Sequence, residues 1–288
     1  MEPLSVSVRR GGTTEARHRV HAVAVRDGEV VAAAGDPALI CLLRSSAKPI
    51  QALLLARARP DLDDREIAIA CASHRAEPAQ VEAVRALLAK APATEVDLEC
   101  GEQDGRAPGA IHNNCSGKHA GFLAVCHARA WHTVGYRLAE HPLQQELHEE
   151  VARAAELGTS EVPTAVDGCG VLTFALSLEQ MARSFAGLTS LDGADRILGA
   201  MRAHPELVGG EGSLDTDLMR LNPGWAAKGG AEGLLCAHAP DGTGYAVKSE
   251  DGNPRPLRPA LARFLDMDLG SVPVVSSRGE VVGEMVVE

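Results

Sequence analysis

The chain has 288 residues, 45% of them hydrophobic and 23% charged, with a net charge of −11. That length supports one large domain or two small ones, and the acidic balance argues against a protein that tracks nucleic-acid phosphates. Aromatic residues make up only 3%, which leaves few platforms for stacking bases and a core built from Ala, Val and Leu.

The first residues, MEPLSVSVRRGG, lack the basic start and apolar stretch of a signal peptide. No apolar run approaches the ~18 residues of a membrane span. We therefore expect a cytoplasmic protein with no membrane partner. Arg19 to Val25 and Glu29 to Ala33 flank Asp27-Gly28, a hairpin signal. Ala79 to Lys90 follows Glu77-Pro78 and places Val81, Val84, Leu87 and Leu88 on one helical face. The same period predicts helices over Pro142 to Leu157 and over Val171 to Phe185, and a late one over Pro256 to Leu265. Leu234 to His238 and Tyr245 to Lys248 flank a second turn at Asp241-Gly242, and the final EVVGEMVVE is again strand-like. Strands at both ends with helices between predict an α+β fold, its antiparallel sheet built from both chain ends and its middle forming a helical lobe. Residues 1–288 then form one unit of two lobes, with loops near 105–109 and 251–256.

The basic residues carry the first chemical signal. Of 28, only Lys48, Lys90, Lys118, Lys228 and Lys248 are lysines. Arginine keeps its proton, whereas a desolvated lysine can lose it and act as a base. Three of these lysines lie in segments that read as site loops. Ser45-Ser46-Ala47-Lys48 contains S-x-x-K, and on a helix start Ser45 and Lys48 share a face while Ser46 points elsewhere. A neutral Lys48 could take the Ser45 proton as a carbonyl is attacked. Pro49 fits only near a helix start, where unpaired N–H groups could polarise an oxyanion.

Lys118 lies in HNNCSGKHAGF, with Cys115 one turn away and His119 beside it; a metal site and a cysteine nucleophile both fit. Cys169 lies in DGCGVLTF after Asp167, where glycines permit tight turns. Lys228 lies in AKGGAEG, read as a Gly-rich loop entering a strand. Ser73 and His74 follow the apolar run Ile67 to Ala70, where Ser73 could pair with a second lysine. The seven cysteines are scattered, so metal binding or burial is expected rather than disulfides. Asp215-Thr-Asp217 reads as a solvated turn. There is no phosphate loop and no dinucleotide fingerprint.

RSSAKPIQA, IACASHRAEPAQVEAVRALLAK, HNNCSGKHAGFLAV, DGCGVLTFA, HPELV, DTDLM and AKGGAEG, in that order, resemble the bacterial L-asparaginase II family, the Rhizobium-type or class 3 asparaginases. The resemblance spans roughly residues 9 to 250. It implies a fold like that of serine β-lactamases and glutaminases, and hydrolysis of L-asparagine to L-aspartate and ammonia. It implies Ser45 as nucleophile with Lys48 as base, and Ser73 with Lys228 as a second pair. It further implies a zinc site at Cys115, Lys118 and Cys169, with Arg44, His119 and Asp167 near substrate or metal, and a homodimer. Arg75 and Ala76 depart from the family's usual small residues after Ser-His, and this bears on substrate selectivity. Within the enzyme class, a glutaminase or another β-lactamase-like amidase is the nearest alternative. Outside it stands a non-catalytic amino-acid or zinc sensor.

Overall fold

The structure, a computed structural model, describes all residues 1–288. Three strands open the chain: β1 (Leu4–Arg10), β2 (Thr13–Arg26) and β3 (Glu29–Ala34). Asp27 and Gly28 join the last two with φ of 52° and 78°, the left-handed pair of a tight two-residue hairpin. A short β4 (Ile40–Leu42) leads into a 3-10 turn over Arg44–Ala47 and then α1 (Lys48–Ala58). The helical middle follows with α2 (Asp64–Ala70), α3 (Pro78–Lys90), α4 (Ser116–Ala128) and α5 (Pro142–Ala154). A small hairpin, β5 (Thr164–Val166) and β6 (Leu172–Ser177), precedes α6 (Leu178–Ala186), α7 (Ala194–Ala203), α8 (Pro205–Val208) and α9 (Leu214–Leu221). The chain ends with β7 (Ala226–Gly230), β8 (Leu234–His238), β9 (Gly244–Ser249), α10 (Leu257–Leu265), β10 (Pro273–Val275) and β11 (Val281–Val287).

The large sheet has the order β10-β11-β1-β2-β9-β8-β7, with β3 also on β2. All its pairings are antiparallel, and β1 pairs β11 with Val6 opposite Val287. Both chain ends thus complete one sheet, as the strand signals predict, and the fold is α+β. One continuous apolar core joins Val6, Val20 and Val247 of the sheet to Ile50, Leu87, Leu123 and Met181 of the helices. No helix is long and apolar enough to cross a membrane.

Local chemistry sets the helix starts. Asp63 accepts from the Glu66 N–H while the Glu66 carboxylate accepts from the Asp63 N–H, a reciprocal cap on α2. Pro78 and Pro142 occupy first turns, where no donor is needed. The helix expected over Val171 to Phe185 is instead two elements. Leu172–Ser177 is strand β6, paired with β4 on one side and β5 on the other. Ser177 then caps α6, its hydroxyl accepting from the Gln180 N–H and the Gln180 side chain accepting from the Ser177 N–H. A short apolar run satisfies both periods, and the Ser-x-x-Gln cap marks the true boundary. Lys228 also departs from expectation. It lies inside strand β7, opposite Cys236, and not in a loop; the turn comes later, where Glu232 and Gly233 adopt positive φ.

Candidate active site

Ser45 sits where β4 hands over to α1. Arg44, just before it, has φ of 47°, a conformation that non-glycine residues adopt at a cost of about 1–3 kcal/mol. The backbone there is held from both sides. Leu43 N–H donates to Phe174 O, and Arg44 N–H donates to Thr173 Oγ1 at 3.0 Å. The Arg44 guanidinium meets Asp167 Oδ1 at 2.7 Å. Ser46 is fully buried and donates to the Lys228 carbonyl at 2.9 Å, docking the mouth of α1 onto β7. Ser45 is half-buried, and its hydroxyl makes no hydrogen bond within the protein. The two serines therefore face differently, as helical spacing predicts.

Lys48 does not reach Ser45 by hydrogen bond. Its amine, buried under α1, contacts Ala72 O, Ser73 Oγ at 3.1 Å and Asn114 O at 3.5 Å. The 3-10 geometry at residues 44–47 and those two carbonyls draw it toward the loop after α2. Burial, with help from Lys118 and Lys228, lowers its pKa below the ordinary lysine value. A neutral amine has two N–H donors and one lone pair. As placed, Nζ donates to the Ala72 and Asn114 carbonyls and to Ser73 Oγ; in the neutral form the third position is the lone pair, which would accept from the Ser73 hydroxyl.

The Ser73 loop is pinned at each residue. Ser73 N–H donates to Val208 O at 2.8 Å, and His74 N–H donates to Asn114 O at 3.2 Å. Ala76 N–H donates to His74 Nδ1, so His74 Nε2 carries the proton and donates to Ser116 Oγ at 2.7 Å. Burial pushes the His74 pKa down to about 3, so the ring is a neutral strut. Ala76 has φ of 62°. Ala76→Gly is expected to raise Tm by about 2 °C, removing roughly 1 kcal/mol of left-handed strain. A thermal melt with unchanged or lower Tm would show that the loop bears no such strain.

Asp215 does not lie in the solvated turn that Asp215-Thr-Asp217 suggests. It lies in the first turn of α9, only 5% exposed, and faces Lys228 with Nζ to Oδ2 at 3.4 Å. Gly229 N–H donates to the same oxygen at 3.0 Å and Thr216 N–H to the other. Burial opposes its ionisation, yet Lys228 and these N–H groups hold the carboxyl below its usual range. The spacing Asp-Thr-Asp resembles a polar turn; only the partner on β7 reveals its role.

Cys115, Lys118 and Cys169 come together behind this region, all buried. Gly117 makes that possible, since a Cβ there would meet the Ile69 carbonyl at 2.1 Å and force α4 away from α2. Cys169 rides in the tight turn between β5 and β6, where Gly170 N–H donates to Asp167 O. Lys118 Nζ lies 3.2 Å from Cys169 Sγ. A hydrogen bond from Cys169 favours the Cys115 thiolate against the cost of burial, and the same bond pushes the Cys169 thiol up. Burial acts to lower the Lys118 pKa, but Cys169 and Cys115 outweigh it and raise it. Two sulfurs and one amine form a soft donor set suited to zinc once the amine is neutral. Asp167, held below the carboxylate range by Lys118 and Arg44 despite burial, adds negative charge nearby.

His119 is buried against Phe122 and Tyr136. Glu99 N–H donates to the Tyr136 oxygen and the Tyr136 hydroxyl to His119 Nδ1 at 2.7 Å, which leaves the Nε2 donor without a partner. Ser45, Ser73 and Lys228 line one cavity of about 520 Å³, together with Asn114, Asp215, Gly229 and Gly230. Arg75, Arg255 and Arg258 also line it. Lys48 sits behind Ser73. Arg44, His119, Asp167 and the cysteine pair are not among the lining residues.

The model of the L-asparaginase II family matches residues 6–283 of the chain. No curated protein matches it. Among solved structures it is similar to a protein of Bacteroides dorei DSM 17855 named a "putative beta-lactamase", at 10% identity and a TM-score of 0.50, covering 86% of this chain and 94% of that one. It is also similar to Mglu in its native form, at 14% identity and a TM-score of 0.48, covering 87% of this chain. The chain spans 65% of the length of that Mglu chain and 61% of Mglu in 4.3 M NaCl. The likeness to the Bacteroides dorei protein is one of fold.

Proposed function

Because the chain belongs to the L-asparaginase II family, we propose that this amidohydrolase cleaves L-asparagine to L-aspartate and ammonia through a serine nucleophile. The observation that carries the reading is the convergence of Ser45, Ser73 and Lys228 on one cavity, with Lys48 buried against Ser73. Amide hydrolysis at neutral pH needs a nucleophile, a base and positive charge near the developing oxyanion. Ser45, with a hydroxyl free of other partners, attacks the amide carbon. Its proton passes by way of Ser73 to neutral Lys48 and from there to the leaving ammonia. Lys228, ion-paired with Asp215, supplies positive charge at the cavity wall.

A second reading has Ser73 as the nucleophile. The 3.1 Å contact between Ser73 and Lys48 favours it, since the base then touches the attacking hydroxyl directly. Mass spectrometry of trapped acyl-enzyme separates the two, because the ester sits on one serine or the other.

Cys115, Lys118 and Cys169 would hold zinc. The ion would supply a Lewis-acidic positive charge behind the cavity that Ser45 and Ser73 line. Metal analysis of purified protein is expected to find about one zinc per chain, lost in Cys115→Ser; a metal-free wild type prepared with zinc present would remove this part of the reading. The site residues also suit glutamine by chemistry, and the family resemblance supports a cytoplasmic homodimer. Ammonia release is expected to be at least tenfold faster per unit kcat/KM on asparagine than on glutamine, a difference of about 1.4 kcal/mol. Faster turnover of glutamine would reassign the substrate, and tight asparagine binding without ammonia release would point to a sensor.

A further inference from the structure

The cavity holds more space and more positive charge than free asparagine uses. At about 520 Å³ it falls in the size class of pockets that enclose drug-sized ligands. Its lining carries Arg75, Lys228, Arg255 and Arg258 against a single acidic residue, Asp215, in a chain whose net charge is −11. Two of the cations are already matched: Lys228 by Asp215, and Arg258 by Asp217. Arg75 and Arg255 are exposed, while Lys228 is buried, so these two guanidinium groups stand at the mouth and the serines and Lys228 lie deeper.

Both mouth arginines are held in place with donors to spare. Arg75 Nη1 donates to Glu211 O at 2.6 Å, and its Nε and Nη2 make no hydrogen bond in the protein. Arg255 Nε donates to His18 Nε2 at 2.8 Å, and its two terminal nitrogens are likewise uncommitted. His18 is 4% exposed and meets Asp251 Oδ2 at 2.5 Å through Nδ1. Arginine can only donate, so His18 Nε2 must accept and Nδ1 must carry the proton toward Asp251. Ser249 donates to the other Asp251 oxygen at 2.7 Å. His18 is therefore a neutral, buried positioning residue that aims Arg255 without cancelling its charge at contact. A guanidinium fork with free N–H groups is a carboxylate receptor. Asparagine has one α-carboxylate, enough for one of the two forks, and leaves the other unmatched.

We propose that the site also takes, and prefers, side-chain amides extended through the amide nitrogen by a second carboxylate, which Arg75 and Arg255 bind at the cavity mouth. This rests on the amidohydrolase reading above. The serine oxygen adds to the acyl carbon, and the C–N bond breaks. The amine leaves with the serine's proton and with its own carboxylate. Water then cleaves the acyl ester to free the acid and restore the serine. No oxidant, reductant or other co-reactant enters.

The test uses the full-length enzyme with three probes: L-asparagine, β-L-aspartyl-L-alanine, and the same dipeptide with its carboxylate capped as an amide. Aspartate release is followed by chromatography. We expect kcat/KM for the free dipeptide to exceed that for the capped one by about tenfold or more, the scale of one charge-assisted contact. Arg75→Ala and Arg255→Ala should each collapse that ratio toward one, chiefly through KM of the free dipeptide. His18→Phe should weaken the ratio by misplacing Arg255. Arg75→Gln and Arg255→Gln serve where an alanine variant unfolds. Equal use of both dipeptides by the wild type, or a ratio unchanged in the arginine variants, overturns the proposal. Turnover of asparagine with neither dipeptide overturns it alone and leaves the asparaginase reading standing. No turnover of any probe removes both.

Discussion

Ser45→Ala is expected to lower kcat for ammonia release on the order of 10⁴-fold while leaving the protein folded. Losses of that size follow removal of a nucleophile whose partners act as a unit. Folding should be spared because the Ser45 hydroxyl makes no hydrogen bond within the protein and its neighbours at residues 43, 44 and 46 hold the backbone. Lys48→Met should fall in the same range. Methionine keeps the buried aliphatic volume and removes only the amine. Kinetics on the two variants, beside Ser73→Ala and with circular dichroism as the folding control, form one experiment. Near-wild-type activity in Ser45→Ala with a dead Ser73→Ala would transfer the nucleophile to Ser73.

The same lysine sets a pH dependence. Lys48 acts as a base only when neutral, and burial lowers its pKa from the ordinary lysine value. Activity should therefore rise as pH increases through that lowered pKa and level off above it. In Lys48→Met the residual activity should lose this acid limb. An identical limb in both proteins would assign the titration to another group.

Asp215→Ala is expected to destabilise the fold by about 3–5 kcal/mol, the cost of leaving a buried charge without its partner. Lys228 and Asp215 have side chains 1% and 7% exposed, so the pair is almost wholly withdrawn from bulk water. The variant also orphans the Gly229 and Thr216 N–H groups. Urea denaturation gives the number. The double variant Asp215→Leu with Lys228→Met should recover much of the stability with no activity, since it removes both charges together. The pH sign is opposite to that of Lys48. The Asp215 carboxyl is held below its unfolded value of about 3.9, so its contribution is present above that value. It is lost as pH falls toward the folded value, and Asp215→Asn should flatten the acid edge of the stability curve. A loss under about 1 kcal/mol in Asp215→Ala would mean that the pair is solvated.

Much of this arrangement is legible in residue order. The Asp27-Gly28 hairpin, the proline starts of α3 and α5, and the strand-like ends of the chain depend on local chemistry, which neighbouring residues reveal. So does the distinction between Ser45 and Ser46, which follows from the turn at α1. What escapes is long-range. Leu172 to Ser177 suits either period, and only pairing with β4 and β5 makes it a strand. Asp215 looks solvated until β7 is laid beside α9. The Lys48 amine could have turned to either serine; carbonyls from residues 72 and 114, far along the chain, decide for Ser73. The raised pKa of Lys118 belongs to the same class, since Cys169 arrives from a different hairpin.

The bond from Ser46 Oγ to the Lys228 carbonyl joins residues 182 positions apart. A ribosome must therefore make the chain through Lys228 before the cavity has its second wall. A nascent chain that ends before β7 carries both serines and Lys48, but no Lys228 and no surface for the mouth of α1 to rest on. Contacts of such separation close slowly. Under the proposed function, hydrolytic competence waits until β7 has been made, and chains released before it should be harmless to the amide pool around them.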